Sequence, residues 1–142
     1  MAARKIYDLK KATSKFFDIF WNPVNGQPPE WSEQWDFNRT IPYHDKGGCY
    51  ALIEKEEVIY IGVGISKGFE PYKDHGLGFR LQKYWKLNKN NDSPNKYCQS
   101  KGWENVSGIM TIGFNEEHSP LAAALEIYLI RELQPVKNVQ HK

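Results

Sequence analysis

Cysteine is nearly absent from this chain. Cys49 and Cys98 are the only two in 142 residues, they form no Cys-x-x-Cys pair, and neither lies near a histidine at zinc-ligand spacing. A structural zinc is not expected. Long apolar runs are missing too. The charged start MAARKIYDLKK is followed by nothing more hydrophobic than FFDIFW, which is too short for a secretory signal core or a membrane span. The expectation is a soluble, cytoplasmic protein with no membrane partner. Charge of one sign is lacking as well: 19 basic and 17 acidic residues leave a net +2, too near balance to announce a polyanion partner by itself. The glycine-rich GVGISKG lacks the Gly-Lys-Ser/Thr ending of a phosphate-binding P-loop. The four histidines, at 44, 75, 118 and 141, contain no i, i+4 pair and read as surface or loop positions.

What is present is globular. Forty per cent hydrophobic residues, with five Trp and eight Tyr, exclude a wholly disordered chain, and the length suits one domain. Residues 1–46 read as a helix and an irregular, aromatic-rich extension packed on a core formed by residues 47–142. In DLKKATSKFFDIFW the residues Leu9, Ala12, Phe16, Ile19 and Phe20 fall near helical spacing, and Pro23 closes the segment. From Asn22 to Lys46 the chain is punctuated by NPVNGQPP and carries Trp31, Trp35 and Phe37.

GGCYALIEKEEVIYIGVG, residues 47–64, reads as a β-hairpin with Tyr50 on one strand and Tyr60 on the other. Without a glycine between the strands, a two-residue type I′ turn is not expected. That loop would also place the tyrosines on opposite faces, because side chains alternate along a strand. A three-residue loop, Glu54 to Glu56, pairs Tyr50 directly with Tyr60. Downstream, FRLQKYWKL predicts a helix with Leu77, Leu81 and Trp85 on one face and Arg80 and Tyr84 on an adjacent stripe. SGIMTIGF predicts a third strand. SPLAAALEIYLIRELQP predicts a helix with Ser119 as N-cap, Pro120 at the first position and Pro135 beyond its end. The fold class is therefore α/β, a small, mainly antiparallel three-stranded sheet flanked by helices.

Chemistry concentrates in a few positions. Glu126 has Ala122, Ala123, Leu129 and Ile130 as its helical neighbours, so its carboxylate faces desolvation unless it meets a cation or an opening. A salt bridge to Arg80 or Arg131 is the ordinary solution. The functional one is a ligand for Mg²⁺, which binds through one or two carboxylates plus substrate phosphate. Arg80 can fork onto phosphate oxygens, and a phenol can take a proton from water where cations favour its ionised form. Residues 83–101 hold five lysines against one aspartate, a local basic lobe or simply a solvated loop.

In this order the residues resemble the GIY-YIG nuclease superfamily from Gly48 to Gln140. Gly48-Cys49-Tyr50 is similar to the first signature tripeptide and Tyr60-Ile61-Gly62 matches the second. Arg80 matches the helix arginine, Tyr84 stands where members carry His or Tyr, Glu126 resembles the metal-binding glutamate, and Pro135 to Asn138 resembles the closing Pro and Asn. Val63 departs from the lysine common after the second tripeptide, a charge that Lys67 can supply, and the stretch from Gly62 to Arg80 is long. The resemblance implies a free-standing bacterial or phage-encoded endonuclease acting on DNA with Mg²⁺, or Mn²⁺ in its place, and leaving 3′-hydroxyl and 5′-phosphate ends. It implies water as nucleophile, Tyr50 or Tyr60 as base, Arg80 as charge stabiliser, Glu126 as metal ligand, and Tyr84 and Asn138 as orienting groups. Lys67, His75, Lys83, Lys89, Lys96 and Lys101 are the candidate DNA contacts. A single site cuts one strand per encounter, so double-strand cleavage needs a dimer or two visits. Two rivals are a DNA-binding module that lost hydrolysis and a protein-interaction domain; the latter would expose an apolar patch between Trp31 and Phe37.

Overall fold

A computed structural model describes residues 4–65, 76–87 and 97–141. Its centre is a three-stranded antiparallel sheet in the order β2-β1-β5, made of β1 (Gly47–Glu54), β2 (Glu57–Gly64) and β5 (Gly108–Phe114). The two long helices, α1 (Ile6–Phe20) and α3 (Pro120–Leu133), cover one face. There Cys49, Ala51, Ile53, Val58, Ile61, Met110, Ile112 and Phe114 meet Leu9, Phe16 and Phe17 of α1 and Leu125, Leu129 and Ile130 of α3. The N-terminal helix thus belongs to the same core as the signature strands. Helical periodicity located α1 correctly, but its buried stripe runs through Leu9, Ala12, Phe16 and Phe17, while Ile19 and Phe20 remain more than half exposed.

The other face carries Tyr50, Leu52, Ile59 and Ile109 beneath the short helix α2 (Leu77–Leu81) and the aromatics Trp35, Phe37 and Tyr84. A three-residue 3₁₀ turn, Gln82–Tyr84, follows α2 and leads into β3 (Trp85–Leu87), which pairs with β4 (Tyr97–Gln99) as a separate two-stranded sheet. The expected second helix is therefore cut short: Trp85 lies on a strand and packs against Trp35 and Tyr97. The irregular segment before β1 is not merely a cover. Ser32 donates its N–H to the Thr111 carbonyl, and Trp35 exchanges backbone bonds with Ile109 in both directions, so it blunts the open edge of β5. Trp35 and Phe37 are buried and Trp31 is half-buried. Ser119 does precede α3, with Pro120 at its start, but its hydroxyl makes no cap bond because the residue is already helical, closing a 3₁₀ turn over Glu116–His118.

The hairpin corrects two expectations at once. Its turn is the two-residue one, Lys55-Glu56, with φ of 49° and 66°, the left-handed pair of a type I′ turn built without glycine. Tyr60 consequently does not pair with Tyr50; Tyr50 lies opposite Gly62 and Leu52 opposite Tyr60. Parity is restored by a bulge, since Ile53 pairs with Val58 while Leu52 pairs with Tyr60, leaving Ile59 as the extra residue. Its carbonyl is taken by the N–H of Lys137. The tyrosines still share one face, as diagonal rather than direct neighbours.

Candidate active site

Glycines clear the space for this site. Gly62 faces Tyr50 across the ladder, and a Cβ there would overlap the phenol ring. At Gly64 a Cβ would come 2.9 Å from the Cβ of Arg80, so α2 seats the arginine's stem against the end of β2. The ring of Tyr50 stacks on that of Tyr60 with centroids 6.1 Å apart, and Tyr84 closes the triangle at 5.5 Å and 6.4 Å.

Tyr50 and Tyr84 are fully buried and their hydroxyls lie 2.9 Å apart. Burial pushes Tyr50 up from 10.0 to about 12; the Tyr84 hydrogen bond and the Arg80 guanidinium pull the other way, and Tyr60 adds to the rise. Tyr84 is held higher still, first by burial and then by Tyr50 and Tyr60. Either hydroxyl can be the donor in this bond. Tyr60 is only half-buried, so its phenol is the one with access to solvent.

Trp103, which sequence reasoning passed over, walls this cluster. Its ring packs edge-on to Tyr84 at 4.8 Å and to Tyr60 at 6.2 Å. Lys137 lies 5.9 Å above its centroid, and Lys83 lies 5.1 Å above that of Tyr84. The Lys83 ammonium is held below its usual range by burial and by Arg80. Arg80, Lys83 and Lys137 are exposed, and among the described residues none makes a salt bridge with a carboxylate.

Glu126 projects from α3, on the opposite face of the sheet. It is half-buried rather than enclosed, and among the described residues it forms no ion pair with Arg80 or Arg131. Desolvation raises its carboxyl above the usual range, opposed by His141 and then by Arg80. His141, read from sequence as a surface residue, exerts the larger pull; a scattered histidine gave no signal of this. Beneath them the Cys49 thiol donates to the Ala122 carbonyl at 3.0 Å, and burial and the Glu126 charge hold it well above its usual range.

Asn138 acts on backbone. Its Oδ1 accepts the Ile61 N–H and its Nδ2 donates to the Ile61 carbonyl, each at 2.9 Å, which ties the chain's end to β2 beside Tyr60. Lys101 is exposed. Lys67, His75, Lys89 and Lys96 lie outside the described residues.

No set of three metal-ligating side chains occurs among the described residues. One half-buried carboxylate without an ion pair does fit a hydrated Mg²⁺ or Mn²⁺ that takes its remaining ligands from water and phosphate. No helix among the described residues is long and apolar enough to cross a membrane. Comparison with known proteins returns no match among family models, curated proteins or solved structures.

Proposed function

We propose that the chain is a metal-dependent DNA endonuclease of the GIY-YIG type. One observation carries the reading: a half-buried phenol, Tyr60, stands in a tyrosine cluster beside the exposed Arg80, and among the described residues neither Arg80 nor Glu126 forms an ion pair. A phosphodiester needs a base for water, positive charge for the phosphoryl oxygens and charge for the leaving oxygen. These residues offer all three.

In the proposed mechanism Arg80 forks onto the scissile phosphate. The water oxygen bonds to phosphorus as the bond to the 3′ oxygen breaks, and the Tyr60 oxygen takes the proton that the water gives up while its own phenolic proton passes to solvent. Tyr50 is unsuited to that role, because it is fully buried and its hydroxyl is bonded to Tyr84; with Tyr84 it packs against the Tyr60 ring. Glu126 would hold the metal, which when bound supplies positive charge at the leaving oxygen. Asn138 holds the β2 backbone next to Tyr60, a positioning role.

Purified protein incubated with supercoiled plasmid and Mg²⁺ tests the reading. Nicking that stops with EDTA and is lost in both Arg80→Ala and Glu126→Gln is expected. Cleavage that persists in either variant at the wild-type rate overturns it.

A further inference from the structure

A cleft of about 660 Å³, lined neither by the tyrosine cluster nor by Trp103, opens between the segment before β1 and the α2–β4 region. Its volume lies within the range of sites that take small organic ligands. Trp35 forms a buried floor, with Trp85 at 4.8 Å and Tyr97 at 5.7 Å between ring centroids. Trp85 and Tyr97 are only half-buried, so each leaves aromatic surface open to the cleft. The rim is polar, from exposed Arg39, His44, Asp45 and Gln82.

The walls are built rather than accidental. Leu77 and Gly78 donate their N–H groups to the carbonyls of Lys46 and His44 at 2.9 Å and 2.8 Å, and a Cβ on Gly78 would strike that His44 carbonyl. The Trp35 indole N–H is shared between the carbonyls of Asn38 and Arg39, so the ring that makes the floor also shapes the turn that carries the arginine. Phe37, Arg39 and Tyr43 all have positive φ, at 70°, 66° and 59°. Three such bulky residues within seven positions is a strained course, of the kind that persists around ligand sites.

We infer that this cleft binds an unpaired nucleotide of a DNA strand, its base stacked on Trp85 and Tyr97 and its phosphate on Arg39. Aromatic faces beside a cation are how proteins grip single strands without regard to sequence, and Asp45 and Gln82 offer acceptors to an exposed base edge. Gln82 stands two positions from Arg80, which ties the cleft to the reacting phosphate. The inference rests on the nuclease reading for the identity of the ligand, and it makes the preferred substrate a duplex with a single-stranded portion.

Anisotropy of a labelled oligothymidylate of about 12 nucleotides, and of a duplex of equal length, measured in EDTA, tests the cleft without requiring cleavage. Arg39→Gln and Trp85→Leu should each weaken single-strand binding about tenfold and change duplex binding less than about twofold. Should Trp85→Leu fail to fold by circular dichroism, Arg39→Gln with Gln82→Ala, both at exposed positions, decides alone. Equal losses on both ligands, no loss on either, or equally strong competition by free thymidine monophosphate overturns the assignment. Failure of the plasmid assay with intact single-strand binding would remove the nuclease and leave the cleft.

Discussion

Tyr50 and Gly62 face each other across β1 and β2, and the phenol of Tyr50 fills the space that any side chain at Gly62 would need. The ring is fully buried and bonded to Tyr84, so it cannot swing aside as a flexible tip could. Gly62→Ala should destabilise the fold by about 1–3 kcal/mol, the usual range for overpacking a filled core. Urea denaturation measures this, and an unchanged midpoint would refute the packing described.

Tyr50→Phe and Tyr84→Phe each leave one buried hydroxyl without its partner, at about 1–3 kcal/mol, whereas removing both should cost less than the sum. Alkali probes the same pair. Both folded-state values are raised, so their contribution is fully present below the ordinary tyrosine value of 10.0 and is lost as pH rises through about 12, where Tyr50 ionises. Thermal melts across that window should fall less steeply in the doubly substituted protein. Parallel curves would show that the hydroxyls do not titrate as a buried pair.

Asn138 replaces, with one side chain, the backbone partner that the edge strand β2 lacks at Ile61. Asn138→Ala strands a buried N–H and a buried carbonyl, and a loss of about 1–3 kcal/mol is expected. Hydrogen exchange at Ile61 should accelerate with it. Protection unchanged from wild type would show that the amide is held by something else.

The core elements were legible because each is amphipathic or capped within its own sequence: α1 from its spacing, β5 from alternation, α3 from Pro120 and Pro135. What failed was local geometry decided by distant contacts. Lys55 and Glu56 adopt left-handed backbone that their side chains disfavour, and the bulge at Ile59 that rescues the tyrosine face is held by Lys137 from the far end of the chain. No window around the hairpin contains that information. Helix α2 ends early because Trp85 is captured by Trp35 and Tyr97, which come from either side of it in sequence. Of the candidate site, Tyr50, Tyr60, Arg80 and Tyr84 converge, whereas Trp103, Lys137 and His141 were invisible, since nothing local marks an aromatic or a cation that folds back onto a site.

The Glu126 carboxyl is raised by burial despite His141 and Arg80. A carboxyl with a raised folded value favours the fold below the ordinary carboxylate range, near 4.5, and loses that advantage as pH rises through its folded value. Glu126→Gln should therefore be more stable than wild type at neutral pH without metal, with the difference vanishing in acid. On the proposed nuclease reading it should also lose metal-dependent cleavage while keeping its DNA affinity. A variant less stable at pH 7 would show that the carboxylate is satisfied by a partner in the apo protein.

On the proposed nuclease reading, Arg80 separates catalysis from grip. Its stem lies against Gly64, and on that reading it serves the transition state, whereas the exposed Lys83 and Lys101 hold phosphates. Arg80→Ala should lower the single-turnover rate at least about a hundredfold at saturating protein, the scale for losing one preorganised donor. Neutralising Lys83 and Lys101 should instead weaken binding alike across DNA sequences and flatten its salt dependence, since each lost phosphate contact reduces counterion release. The same extension to Lys89 and Lys96 should flatten it further. Cleavage rates at saturation, set beside affinities at several salt concentrations, distinguish the roles. If Arg80→Ala binds poorly yet cuts normally once saturated, Arg80 is a clamp, and the charge that stabilises the reacting phosphate must come from Lys83 or Lys137.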